Sequence, residues 1–269
     1  WERVASVASR VRAVGGTFRS RFRGCALAAL ETLLFVMVLL CGGVAGRASA
    51  ATVEAHAVYT AASKRSAPAA SDIVFWLSPL SQAEIEQAQA GLLKLPRHFE
   101  LVQSRKTFIP HLLIVPAGSW VAFPNRDPFF HNVFSLFEGK RFDLGLYETG
   151  ATRSVRFDRP GISFIFCNIH PQMSAVVIAL KTPYYGVTNA AGRVRIAGVP
   201  GGKYRLQIWS ERALPETLKH LSREVVVGES ASNLGSFTIA ASRDLLADHK
   251  NLYGRDYDPV APSAVPYVP

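Results

Sequence analysis

Between residues 112 and 240 the chain repeats one pattern, a short apolar or alternating run, then a turn built on Pro, Gly or Asn, then another run. Residues 112–115 and 120–123 flank Pro116-Ala117-Gly118, and Val155 and Phe157 alternate with Ser154 and Arg156. Arg159-Pro160-Gly161 leads into residues 163–166, and residues 174–180 form a further apolar run. Beyond Thr182-Pro183, Val194 and Ile196 alternate with Arg193 and Arg195, and Tyr204, Leu206 and Ile208 alternate with Arg205 and Gln207. Period-two alternation closed by such turns specifies half-buried strands. Residues 53–58, 73–77, 224–227 and 235–239 add strands at either end, and only residues 81–95 read as a helix. Its signals are Ser81 with Glu84 three residues on, a capping box, and Pro96 as the stop. A parallel α/β sheet needs strands alternating with helices. The pattern therefore predicts an all-β protein made of sandwiches, with one short helix.

The first fifty residues obey different rules. Arg3, Arg10, Arg12, Arg19, Arg21 and Arg23 precede an apolar run over residues 25–45, broken only by Glu31 and Thr32, and Ala48-Ser49-Ala50 follows. Basic region, apolar run and small-residue site in that order read as a secretory signal over residues 1–50. An uncleaved anchor facing the periplasm is the alternative, because residues 26–45 approach spanning length. The segment also carries much of the net charge of +10; the remainder holds 23 Lys and Arg against 18 Asp and Glu, a net +5. No cluster of basic residues interleaved with aromatics remains, which argues against nucleic-acid binding. Cys25 and Cys41 lie in the segment, leaving Cys167 as the single cysteine of the exported chain. In an oxidising compartment a lone cysteine is a free thiol, an intermolecular bridge or a ligand.

The chemistry-bearing stretch is Phe164 to Met173, FIFCNIHPQM, with Cys167, His170 and Met173 in a C-x2-H-x2-M loop after an apolar strand. Upstream, FPNRDPFFHNV places His131-Asn132 beyond another strand. Singly, each residue has an ordinary use, Met173 as core filler and Cys167 as a buried apolar thiol. Together, one thiolate, two imidazoles and a thioether are the ligand set of a blue-copper site, His2Cys with a weak axial Met. Thiolate and thioether favour Cu(I), imidazole tolerates both oxidation states, and a rigid β scaffold limits rearrangement between them. His111 competes for the upstream position, since it too precedes a strand. Zinc is the competing metal, but it gains little from a thioether and its structural sites favour more cysteines. The chain has no His-x-His pair, which disfavours a multicopper oxidase.

On these residues the chain resembles the cupredoxins, and its short ligand loop is similar to the amicyanin and plastocyanin type. Residues 103–209, with FPNRDPFFHNVFS, KRFDLGLY, the CNIH loop, TPYY and VPGGKYRLQIW, also resemble bacterial plastocyanin-like proteins labelled methylamine utilization proteins. The resemblance implies a Greek-key sandwich over residues 96–182, with His131, Cys167, His170 and Met173 as ligands of one copper ion. It makes Asn132 a neighbour that tunes the thiolate from behind the ligands. Residues 182–209 resemble a second family, the carboxypeptidase regulatory-like β-sandwich. Strands resembling the start of that domain lie at 53–58 and 73–77, so residues 51–95 and 183–240 are expected as two halves of a small sandwich. The cupredoxin part would be inserted between them, with tandem domains as the alternative and residues 241–269 as a surface tail.

The expected function is that of an exported one-electron carrier, not an enzyme, docking transiently on a cytochrome or oxidoreductase. A periplasmic copper-binding or delivery protein is the alternative. Contact with a membrane is expected only if the N-terminal segment stays attached.

Overall fold

The computed structural model describes residues 50–60, 69–136, 139–242 and 249–257. Residues 1–49 of the expected export segment lie outside them, and among the described residues no helix is long and apolar enough to cross a membrane. Alternation is clearest in β1 (Ala50–Thr60), where Ala51, Val53, Ala55, Ala57 and Tyr59 are buried and their neighbours are more exposed. Chain order continues with β2 (Val74–Pro79), α1 (Gln82–Leu93), β3 (His98–Glu100), β4 (Val102–Ser104) and β5 (Thr107–Ile109). Then come β6 (Leu112–Pro116), β7 (Ser119–Pro124), β8 (His131–Ser135), β9 (Phe142–Tyr147) and β10 (Thr152–Phe157). After β11 (Gly161–Cys167) and β12 (Ser174–Leu180) follow β13 (Tyr185–Val187), β14 (Arg193–Pro200), β15 (Gly202–Trp209), α2 (Pro215–Leu221), β16 (Arg223–Val227) and β17 (Ser232–Ala240).

The protein is all-β in class, and two features correct the expected details. A second helix, α2, stands where a single one was expected; Pro215 occupies its first turn and Lys219 and His220 its last, placements that suit a helix. At α1, Ser81 is the N-cap but makes no side-chain capping bond, so the expected box does not close. Glu84 turns instead against Gly202, where the missing Cβ leaves room for its carboxylate, and one of its oxygens is buried without a hydrogen-bond partner.

Pairing follows a simple division. β1 pairs with β14 antiparallel and with β17 in parallel, and β2 pairs with β13 and β15, with β16 completing that sheet. The strands between, β3 to β12, pair with one another in sheets ordered β10-β7-β3, β6-β12-β11-β8-β9 and β4-β5. The five-stranded sheet is apolar on both faces. Ile165, Cys167, Ala175, Val177 and Ala179 face one core, shared with Val121, Phe123, Tyr147 and Phe157. Phe134, Phe166, Val176, Ile178 and Leu180 face the other, shared with β1, β2, β14 and β15. A sheet covered on both sides reads as continuous hydrophobic runs, which is why SAVVIAL of β12 is buried over nearly its whole length.

Candidate metal centre

The site grows from the pairing of β8 with β11. These strands run antiparallel with Cys167 opposite Val133 and Phe166 opposite Phe134. Side chains two apart share a face. His131, at the head of β8, and Cys167, at the end of β11, therefore project to the same side, diagonal neighbours across the ladder. The loop after β11 turns back at once: Met173 N–H donates to the His170 carbonyl at 3.0 Å, and Cys167 N–H donates to the Met173 carbonyl at 3.3 Å. That turn brings His170 over the same spot.

Cys167 Sγ lies 3.5 Å from His131 Nδ1 and 3.7 Å from His170 Nδ1. The three donor atoms fall within 4.8 Å of one another, close enough to hold one metal ion. Cys167 and His131 are fully buried and His170 is partly so. The imidazole centroids are 4.9 Å apart, and Phe129 packs against both, 5.3 Å from each. Met173 is buried in the same core as Cys167, immediately before β12. Asn132 contributes its backbone, whose N–H faces the Cys167 sulfur and whose carbonyl accepts from Asn168 N–H at 3.0 Å. The Asn132 side chain donates to Asp143 at 2.6 Å. His111 is not part of the cluster; its Nδ1 meets the Ser174 carbonyl at 3.1 Å and its Nε2 meets Glu211 at 2.7 Å.

The sequence reading missed Asp127. Its Oδ2 lies 2.9 Å from His131 Nε2. A carboxylate there can only accept, so Nε2 carries the proton and Nδ1, facing the sulfur, keeps its lone pair. Asp127 is itself fixed by the tip of the β4–β5 hairpin: it accepts the N–H of Arg105 and, at 2.9 Å, that of Lys106. Both hairpin residues have positive φ, +56° and +55°, a conformation usually left to Asn or Gly. The two strained residues are held because both N–H groups converge on one carboxylate. Asn125 organises the rest of the loop, accepting from Asp127 N–H at 3.0 Å and donating to the Phe129 carbonyl at 2.8 Å.

Burial governs the protonation states. It pushes the Cys167 thiol above its ordinary value, against the N–H groups of Asn132, Ile169 and His170 directed at the sulfur. Burial also pushes His131 down despite Asp127, and pushes His170 down to about 4, helped by the neighbouring His131 and Lys106. Burial would raise Asp127, but the N–H of Lys106, the His131 ring and the N–H of Arg105 hold it below the ordinary carboxylate range. Both rings are thus neutral donors at neutral pH. A pH dependence follows for the metal-free protein. Unfolded histidines take up protons near 6.5, whereas folded His170 resists protonation until about 4. The unfolded chain binds more protons in that window, so stability is complete above about pH 6.5 and falls as pH drops toward 4. Denaturant midpoints measured across that range check this, and His170→Gln should flatten the slope.

Fold and site together define a class, an all-β protein with a buried cluster of two imidazoles and one thiol able to hold a metal. No protein-family model and no curated protein matches the chain. Among solved structures it is similar to a purple cupredoxin from Nitrosopumilus maritimus, at 22% identity and TM-score 0.28, over 30% of this chain and 98% of that one. It is similar to amicyanin from Paracoccus versutus at 20% identity and TM-score 0.29, over 33% of this chain and 88% of that one. A copper-containing nitrite reductase from Thermus scotoductus SA-01 matches at 23% identity and TM-score 0.30, over 32% of this chain and 23% of the reductase.

Proposed function

We propose that this protein is an exported, mononuclear type 1 copper protein that carries single electrons and is not an enzyme. His131, Cys167 and His170 would hold the ion, with Met173 as a weak fourth ligand. The observation that carries the reading is the convergence of one Cys sulfur and two His Nδ1 atoms in a buried pocket. The donor set fits, since a lone thiolate with two imidazoles suits copper better than structural zinc. When bound, copper would supply a one-electron couple between Cu(I) and Cu(II).

The chain's own residues then have defined tasks. Asp127 fixes the His131 tautomer and ring plane. Loading at neutral pH releases the Cys167 proton, because the rings are already neutral. Full burial of Cys167 and His131 favours retention over delivery. The partly exposed His170, with exposed Ile169 and Phe130 on the two ligand-bearing segments, is the proposed face for a transient redox partner, a cytochrome or an oxidoreductase. Residues 1–50 are proposed to direct export to the periplasm or the cell exterior. Residues 96–182 are proposed as a cupredoxin domain inserted between the halves, 51–95 and 183–240, of a carboxypeptidase regulatory-like sandwich. The pairing of β1 and β2 with strands beyond residue 184 supports that arrangement.

The test is the visible spectrum of the protein reconstituted with Cu(II). An intense thiolate-to-copper band is expected; a colourless protein would overturn the reading. Met173→Leu probes the fourth ligand. It keeps size and apolarity, with a packing cost below about 1.5 kcal/mol. The variant should stay blue with a raised reduction potential by voltammetry, since the oxidised state loses more when a donor is removed. An unchanged potential would make Met173 core packing alone.

A further inference from the structure

Asn251 draws residues 249–257 into a closed turn. Its side-chain oxygen accepts the N–H groups of Tyr253 at 2.9 Å and Arg255 at 3.0 Å. Its backbone N–H donates to the Arg255 carbonyl and its carbonyl accepts from Gly254, both at 2.9 Å. The ends of the turn meet where His249 Nε2 lies 3.1 Å from the Tyr257 hydroxyl, with the two rings edge to face at 5.4 Å.

This turn grips three successive residues at the exit of β11. The His249 ring stacks on Phe166, centroids 4.1 Å apart and planes 19° from parallel. The Tyr257 hydroxyl donates to the Cys167 carbonyl at 2.8 Å. Leu252 N–H donates to Asn168 Oδ1 at 2.8 Å. The same stretch is held from within the sandwich, the Phe166–Cys167 peptide by Cys167 N–H to the Met173 carbonyl and the Cys167–Asn168 peptide by Asn168 N–H to the Asn132 carbonyl.

We infer that residues 249–257 are a strap that positions the Cys167 sulfur, with Tyr257 acting on it through the Cys167–Asn168 peptide. The inference rests on the reading of Cys167 as the copper thiolate. One rotatable bond separates the Cys backbone from the direction of its sulfur, so fixing the peptide fixes most of the thiolate's placement. Residues 168–173 leave the ladder between β11 and β12, and loop segments of that kind open first in a folded protein. A ligand loop needs its supporting contacts to hold donor atoms to within about 0.5 Å. A turn already closed on itself supplies such contacts with little further ordering.

The experiment compares the full chain with Tyr257→Phe, which removes only the hydroxyl, and with Tyr253→Phe, an exposed tyrosine of the same turn, as control. In the metal-free protein, amide hydrogen exchange over residues 164–170 should quicken about fivefold in Tyr257→Phe, the factor one neutral hydrogen bond supports. In the copper-loaded protein the thiolate-to-copper band should shift, and copper should pass to a chelator about fivefold faster by the same reasoning. The control should match wild type in every measurement. Asn168→Ala, which removes the Leu252 anchor, should move both in the same direction and decides the matter if Tyr257→Phe does not fold. Unchanged exchange and an unchanged band would overturn the strap. Faster exchange with no band in any form, wild type included, would overturn the copper reading while retaining the strap's hold on β11.

Discussion

Cys167→Ser is expected to abolish the coloured copper species while leaving the protein folded. The band arises from charge transfer out of a thiolate, and a serine hydroxyl does not ionise at neutral pH to replace it. Cys167 is fully buried, so the fate of the new hydroxyl decides the stability. Its surroundings are already polar in the right sense, with His131 Nδ1 able to accept and the N–H groups of Asn132, Ile169 and His170 directed at the same point. A satisfied hydroxyl in a slightly smaller side chain should cost about 1–2 kcal/mol, well short of the 5–15 kcal/mol that typically holds a domain together. Visible absorption with Cu(II) and a denaturant titration of the metal-free protein measure the two halves of the statement. Persistence of the same band in the serine variant would remove Cys167 from the ligand set.

Asp127→Asn should be nearly as damaging, by a different route. The carboxylate accepts from three donors, His131 Nε2–H, Lys106 N–H and Arg105 N–H. An amide has one oxygen and one NH2, so one edge must set donor against donor. If the NH2 faces His131, the ring is driven to carry its proton on Nδ1, the atom aimed at the metal. If it takes the place of Oδ1, Arg105 N–H loses its acceptor, while His131 and Lys106 share an amide oxygen that accepts more weakly than the carboxylate did. Copper affinity should fall in both orientations, by up to about 10–100-fold where His131 loses its acceptor, the usual consequence of removing a partner that orients a ligating His. Asp127→Ala, which leaves all three donors without an acceptor, should also destabilise the metal-free protein by about 2–4 kcal/mol. Competition against a chelator and thermal unfolding of the apoprotein check these. An affinity within twofold of wild type would mean that Asp127 supports only the hairpin.

The sandwich class and the alternating strands were legible because one face of β1, β14 and β15 meets solvent and the period of two survives in the sequence. β8 was not, because all five of its residues, HNVFS, are buried and leave no polar beat. The three-residue strands β3, β4, β5 and β13 are too short for any period to register. Helix α2 carried end signals in PETLKHL but, at seven residues, fewer than two full helical repeats of side-chain pattern. Cys167 and His170 could be read from local spacing, since a tight loop holds them together. Asp127 could not, because its role depends on a hairpin more than twenty residues upstream. Its one signal was its place four residues before His131 in an Asn-x-Asp loop. Tyr257 was hidden for the same reason, sitting in a charged tail that nothing local ties to Cys167.

The five-stranded sheet has a consequence for portability. Its strands β11 and β12 carry the ligand loop between them, and it serves as a party wall with an apolar core on each side. Cutting the chain to residues 96–182 would lay bare Phe134, Phe166, Val176, Ile178 and Leu180, a contiguous greasy surface of the kind that drives self-association. The metal pocket is therefore not a cassette that can be lifted out and spliced elsewhere. Nor can it swing as a hinged lobe, because a large apolar seam of this sort couples the two sides as one mechanical piece. The His170 edge is therefore a surface whose orientation is set by strands from both sides of that wall.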